Sequence, residues 1–335
     1  MLATRFTELV GCAVPIQQAG MGAASPPALA AAVSNAGALG MLGTARTGFG
    51  TASSLAPLLD ELDSQTDKPY GVNFLINPEF LPDIDLGCFA LAARRARVVE
   101  FFWGWPDPRL VEIVHEHGAL VSWQVGSVAE AVAAADAGAD LVVAQGVAAG
   151  GHVRGTIGLL ALLDAVLAAV DTPVLAAGGI GSGRGLAAAL AAGADGARVG
   201  TRFVAAEEAD AHPRYVEALI AADPEDTVLG STFIRGWDAP GRTLRSAADA
   251  AMAFPGDVVG EVPSLDGTRV PLHGLEPEVA STGATGAIEA MSLWAGESVG
   301  AVTRVQPAAE IVRELAEEAD RLLRRWGDLN RSTSG

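Results

Sequence analysis

The chain has 335 residues, of which 50% are hydrophobic and 19% charged, and it carries a formal net charge of −18. This length fits one large domain or one domain with an insertion, and the acidic surplus excludes a nucleic-acid binder, whose surface must be basic. The two cysteines, Cys12 and Cys88, make neither a disulfide framework nor a metal cluster. Residues 1–5 lack a signal-peptide pattern, and no uninterrupted apolar run reaches the ~18 residues of a membrane span, so a cytoplasmic protein without a membrane partner is expected.

Along the chain, eight short apolar runs bounded by turn residues predict buried parallel strands, at 15–18, 38–42, 70–76, 97–102, 120–125, 141–145, 173–177 and 196–200. Helical patterns lie between them at 26–36, 53–63, 107–117, 127–137, 156–169 and 183–192, while 79–95 carries no clear pattern. An alanine-rich helix leading through Ala-Gly-Ala into a strand recurs at 36–38, 137–139 and 192–194. Glycine takes the left-handed conformation cheaply at a helix C-terminus, so this junction marks repeated βα units. Eight such units predict a (β/α)8 arrangement, the TIM barrel, with a doubly wound open sheet as the alternative fold. After Gly200 the pattern breaks. Residues 203–222 read as helical, 223–275 as a Gly-, Pro- and Asp-rich stretch, 276–296 as helical again, and a last helix starts at Ala308 and ends near Trp326. The expected organisation is a barrel of 1–209 and 301–326, an inserted helical or irregular cap of 210–300 over its mouth, and a mobile tail of 327–335.

Three glycine-rich stretches sit at the ends of predicted strands. Gly150-Gly151-His152 follows the sixth strand, where ligands bind in parallel α/β proteins. His152 there is either a loop residue or a group that does chemistry. Gly178-Gly179-Ile180-Gly181-Ser182-Gly183 follows the seventh strand and Gly200-Thr201 the eighth, the pair of loops on which barrels bind phosphate with bare backbone. Neither stretch matches the G-x-G-x-x-G fingerprint, and no Gly-Lys forms a P-loop. Gln18, Asn73, Gln124 and Gln145 place amides at strand ends. They either satisfy each other and the backbone or bind the heteroatom edge of a flat cofactor. His115-Glu116-His117 puts its histidines on different faces of a helix, so no metal site is expected. Trp103 and Trp105 either line a cavity or fill core.

The set 18–22 (Gln-Ala-Gly-Met-Gly), 71–74 (Gly-Val-Asn-Phe), Gln145-Gly146, 149–152 (Ala-Gly-Gly-His), 177–180 (Ala-Gly-Gly-Ile), 200–203 (Gly-Thr-Arg-Phe) and 294–300 (Trp-Ala-Gly-Glu-Ser-Val-Gly) resembles the nitronate monooxygenases, formerly called 2-nitropropane dioxygenases. The resemblance covers most of the chain and implies an FMN-dependent barrel enzyme that oxidises alkyl nitronates with molecular oxygen. It implies FMN phosphate on Gly178, Gly179, Gly200 and Thr201. The flavin ring would meet Ala19, Gly20, Met21, Asn73 and Gln124, with Gly150 and Gly151 near the Gln145 loop. His152 would be general base or anchor of the nitro group. The family often has proline where this chain has Gly20 and glutamate where it has Ala148. Expected partners are a nitronate or related small anion and oxygen, and a homodimer is an assembly left open. The alternatives are the related FMN-dependent enoyl-ACP reductases or NADH:quinone reductases, and a flavin-binding scaffold without catalysis.

Overall fold

A computed structural model describes residues 2–45, 49–77 and 85–332, with side chains through Trp326. Its central strands are β1 (Ile16–Gln18), β2 (Gly40–Gly43), β3 (Tyr70–Leu75), β4 (Val98–Phe102), β5 (Leu120–Val125), β6 (Leu141–Gln145), the two-residue β7 (Gly151–His152), β8 (Val174–Ala177) and β9 (Gly196–Val199). All but β7 form one parallel sheet in the order β1-β9-β8-β6-β5-β4-β3-β2. A parallel bridge between Gln17 and Leu39 brings its two edges together, so the sheet closes into a barrel and the open-sheet alternative falls. The helices α1 (Arg5–Val10), α2 (Pro27–Asn35), α3 (Ala52–Gln65), α4 (Gly87–Arg95), α5 (Pro108–His115), α6 (Val128–Asp136), α7 (Leu159–Ala169) and α8 (Gly183–Ala191) surround it. The three Ala-Gly-Ala junctions behave as expected, with Gly37, Gly138 and Gly193 at φ of +90°, +96° and +103°.

Side chains alternate along each strand, and the alternation builds two cores. The outward set, including Val99, Phe101, Val121 and Trp123, packs against the helices. The inward set, Leu39, Met41, Val98, Leu141, Val143 and Leu175, fills the lower barrel, where Phe6 and Val10 of α1 plug the floor. That helix starts with a reciprocal cap between Thr4 and Thr7, and the sequence reading had missed it. Above the apolar layer lies a polar one formed by Gln17, Asn73, Glu100, Ser122 and Arg198.

The region after β9 departs from expectation. It contains helices α9 (Thr201–Val204), α10 (Pro213–Ile220) and α11 (Arg245–Ala253), but also strands β10 (Thr227–Gly230), β11 (Gly241–Leu244), β12 (Val258–Pro263), β13 (Arg269–His273) and β14 (Thr285–Gly286). These form two antiparallel three-stranded sheets, β10-β11-β7 and β13-β12-β14. Residues 276–296, expected as helix, instead run through β14 and a single 3-10 turn at Ile288–Ala290, because their backbone pairs with distant partners such as Gly260 opposite Gly286. The last helix, α12 (Ala308–Ser332), continues past the end expected near Trp326. No helix among the described residues is long and apolar enough to cross a membrane.

Candidate active site

A cavity of about 860 Å3 opens where the barrel strands end. Its wall takes Ala19, Gly20 and Met21 from the turn after β1, Asn73 from β3, and Gln124 and Gln145 from the ends of β5 and β6. Gly150, Gly151 and His152 enter from β7 and the residue before it, Gly178 and Gly179 from the turn after β8, and Gly200 and Thr201 from the end of β9. Of the residues singled out from the sequence as cofactor or catalytic candidates, all of these line one cavity, and only the strand-end amide of Gln18 stands outside it.

The glycines serve two purposes there. Gly178 has φ +103°, and a Cβ on it would lie 2.8 Å from the carbonyl oxygen of Gly146, while one on Gly150 would lie 2.5 Å from the amide of Gly296. These two let the protein pack on itself. At Gly179 and Gly200 the nearest atoms to an added Cβ are Ala148 Cβ at 3.2 Å and Ala19 Cβ at 3.5 Å. Protein packing does not forbid a side chain at Gly200. What glycine leaves bare there is the backbone that faces the cavity. Thr201 Oγ1 accepts from the amide of Gly296 at 3.0 Å, and the amide of Glu297 donates to Ala148 O at 3.0 Å, so the 296–297 backbone braces the loop that carries Gly150.

The four strand-end amides separate into different jobs. Gln18 Oε1 accepts from the amide of Met41 at 2.8 Å, and Gln18 is spent on backbone. Gln145 donates through Nε2 to His152 O at 2.8 Å and accepts at Oε1 from the amide of Arg154 at 3.1 Å, so it clamps the His152 loop onto β6. Asn73 donates through Nδ2 to Glu100 at 2.8 Å and turns the rest of its amide to the cavity. Gln124 lines the cavity, and its amide has no protein partner among the described residues. A buried amide of that kind, 7% exposed, suits a polar ligand edge.

His152 is held by pairing that no local sequence pattern announces. The strand β7 pairs antiparallel with β11, placing His152 opposite Gly241, and Val153 donates to Pro240 O at 2.9 Å. Its imidazole sits among three indoles, 4.0 Å from Trp237, 5.1 Å from Trp294 and 5.9 Å from Trp103, centroid to centroid. Nδ1 lies 3.3 Å from Ala239 O, which can only accept, so the neutral ring carries its proton on Nδ1 and leaves Nε2 as acceptor. Burial in this apolar setting pushes its pKa down from 6.5 to about 4. Trp103 takes φ +82°, a conformation that costs a non-glycine residue roughly 1–3 kcal/mol, and its indole meets both His152 and Trp237 edge-on. Arg154, paired with Glu130 at 2.6 Å, covers Trp103 at 5.2 Å from the ring centre.

Sequence reasoning had left Trp103 open between cavity and core; it backs the histidine. Trp105 is exposed and does neither. Trp237 was missed altogether, and the only hint of it is a lone tryptophan in the glycine-rich run 230–242. His115 is paired with Asp140 at 2.8 Å on the outer face, far in the fold from the cavity.

In a closed (β/α)8 barrel the active site lies at the C-terminal ends of the strands, which is where this glycine-lined, histidine-bearing pocket opens. The profile of the nitronate monooxygenase family matches residues 3–318, and the chain belongs to that family. A nitronate monooxygenase of Pseudomonas aeruginosa is 35% identical over 94% of this chain and 98% of its own length. A Rhodococcus jostii (3aS,4S,5R,7aS)-5-hydroxy-7a-methyl-1-oxo-octahydro-1H-indene-4-carboxyl-CoA dehydrogenase is 39% identical over 78% of this chain and 71% of its own. Among solved structures, FabK from Thermotoga maritima is similar with TM-score 0.79 at 31% identity, over 98% of this chain and 100% of that one.

Proposed function

We propose that this chain binds FMN across the barrel mouth and oxidises alkyl nitronates with molecular oxygen. The observation that carries the reading is the seat of His152, a neutral imidazole with Nδ1 spent on Ala239 and Nε2 left over, on the wall of a glycine-lined cavity. The residues present fit FMN. The backbone of Gly178, Gly179, Gly200 and Thr201 would receive one phosphate. Ala19, Gly20, Met21, Asn73, Gly150 and Gly151 would meet the ring, with the spare amide of Gln124 against its heteroatom edge. When bound, FMN supplies the redox chemistry, taking electrons from the nitronate and passing them to oxygen.

The protein's share is binding, orientation and proton control. A base with a pKa of about 4 is poorly matched to removing the α-proton of a neutral nitroalkane at neutral pH. A nitronate arrives already deprotonated. Its charge beside the ring favours the protonated imidazole, so His152 takes up a proton as the anion binds and holds it by a charge-assisted hydrogen bond. The three indoles shield the ring on the sides they cover, which strengthens that bond.

A second reading, a flavin-dependent reductase, is favoured by the 39% identity to a dehydrogenase acting on a CoA thioester. One set of measurements separates the two: oxygen uptake with propionate 3-nitronate, anaerobic flavin reduction by NADH and NADPH, and release of the flavin on denaturation. The oxidase reading expects released FMN, oxygen uptake with the nitronate, and little reduction by either nucleotide. His152→Ala should keep FMN and lose activity on nitronate. Fast reduction by NADH without nitronate-dependent oxygen uptake would install the reductase reading, and failure to bind FMN would sink both.

A further inference from the structure

The polar layer of the barrel contains an ion pair that the function proposed above leaves unused. Glu100 in β4 is fully buried and Arg198 in β9 is 6% exposed, and Arg198 Nη1 meets Glu100 Oε1 at 2.5 Å. Asn73 Nδ2 donates to the same oxygen at 2.8 Å, while Gln17 Nε2 and Ser122 Oγ each donate to Oε2 at 3.1 Å. Burying two charges is expensive, and packed apolar residues often serve stability as well or better. Stability alone therefore gives no reason for the pair.

Its orientation gives one. Arg198 and Asn73 line the cavity and Glu100 does not. Arg198 stands two residues before Gly200 on the same inward row, yet reaches across the barrel to the oxygen it shares with Asn73. The pair is thus a buried dipole with its positive end up, under the place where Asn73 and Gln124 would meet the flavin ring. Its negative end is drawn down among neutral donors, and water is excluded from the space between, where charges act strongly.

We propose that Arg198 is a positioning residue for charge: with its counter-ion held below it, it stabilises the reduced flavin and raises the flavin's midpoint potential. This rests on FMN being the cofactor. On reduction the ring takes two electrons from the donor and, near neutral pH, one proton, so it becomes an anion, and the guanidinium attracts that anion more than the oxidised ring.

The test is dye-equilibration potentiometry on FMN-loaded protein, with thermal melts alongside. Arg198→Gln should lower the potential by at least a tenfold change in the reduction equilibrium, which is about 30 mV for a two-electron couple. Glu100→Gln, which removes the negative end, should raise it, and Arg198→Lys should stay near the parent. Shifts of opposite sign support the proposal. Unmoved potentials, or shifts of one sign with lowered melting temperatures, would reduce the pair to a structural element. The unmutated protein gives a reading that does not depend on any variant folding: its reduced flavin should remain anionic to a lower pH than free reduced FMN, and an equal value overturns the proposal. A protein that takes up no FMN overturns the cofactor reading beneath, whereas FMN-loaded protein with unmoved potentials overturns this inference alone.

Discussion

Burial of His152 has a consequence for stability that can be measured without substrate. In the unfolded chain its imidazole titrates at an ordinary value near 6.5; in the folded protein desolvation lowers this to about 4, a gap of about 2.5 pH units. Above pH 6.5 the ring is neutral in both states and contributes nothing to the pH dependence. Between 6.5 and 4 the unfolded state binds a proton that the folded state refuses, so stability falls as the pH falls, and below 4 the full penalty is in place. At about 1.36 kcal/mol per pH unit the penalty is about 3 kcal/mol. The assay is urea unfolding of FMN-stripped protein, because bound cofactor would add its own stabilisation. The parent and His152→Gln are compared at about pH 8 and about pH 4. The variant lacks the titrating group, so the stability difference between the two should move by about 3 kcal/mol in favour of the variant across that range. A difference that stays constant with pH would show that the ring is hydrated in solution and that the indole enclosure does not hold. It would also remove the argument that His152 is too weak a base for a neutral nitroalkane.

Two further outcomes follow from the packing. Gly179→Asp and Gly200→Asp should each abolish FMN retention in a protein whose circular dichroism is native, since the new carboxylate occupies the approach to the backbone and repels phosphate; normal flavin content in a folded variant refutes the phosphate assignment. Phe6→Ala should lower stability by about 3–5 kcal/mol in denaturant titrations while leaving the cavity lining intact, because Phe6 is fully buried against the apolar floor of the barrel. A loss below about 1 kcal/mol would mean that α1 is not the plug that the fold makes it.

The parts of this protein that could be read from its sequence are those whose structure is decided locally. Strands such as Leu141–Gln145 are apolar on both faces because helices cover one side and the barrel core the other, so they stand out as unbroken apolar runs. Helix ends at Gly138 and Gly193 show because only glycine sits there at φ near +100° without strain. The region after Gly200 resisted for the opposite reason. Residues 276–296 are small and apolar enough to read as helix, yet Val279 bridges to Ser292 and Gly286 pairs with Gly260, partners that no local pattern can name. Trp237 acquires its role only because β11 docks on β7 and brings a residue 85 positions along the chain onto His152. The strand-end amides lie between these cases. Their positions were visible, but whether each faced ligand or protein depended on neighbours: Gln145 is consumed by the His152 loop, whereas Gln124 is not.

Glu100 shows how much a period of two can conceal. The run 97–102 reads as an apolar strand that opens on Arg97 and carries Glu100 in its middle, with nothing local to say which way that carboxylate points. Alternation turns Val99 and Phe101 outward to the helices, so Glu100 must point into the barrel, where an isolated carboxylate could not remain. A single inward charge in a buried strand therefore predicts a partner on another inward row, and Arg198, the one basic residue inside the eighth barrel strand, is that partner. The same rule makes removing one member alone costly. Arg198 left without Glu100 would be an uncompensated buried charge, which typically costs 3–5 kcal/mol, about as much as deleting a large core side chain. A pair that is dispensable as packing yet costly to break must be inherited or lost together. This is why its effect on the flavin is best read from the sign of the potential shift, which stability does not determine.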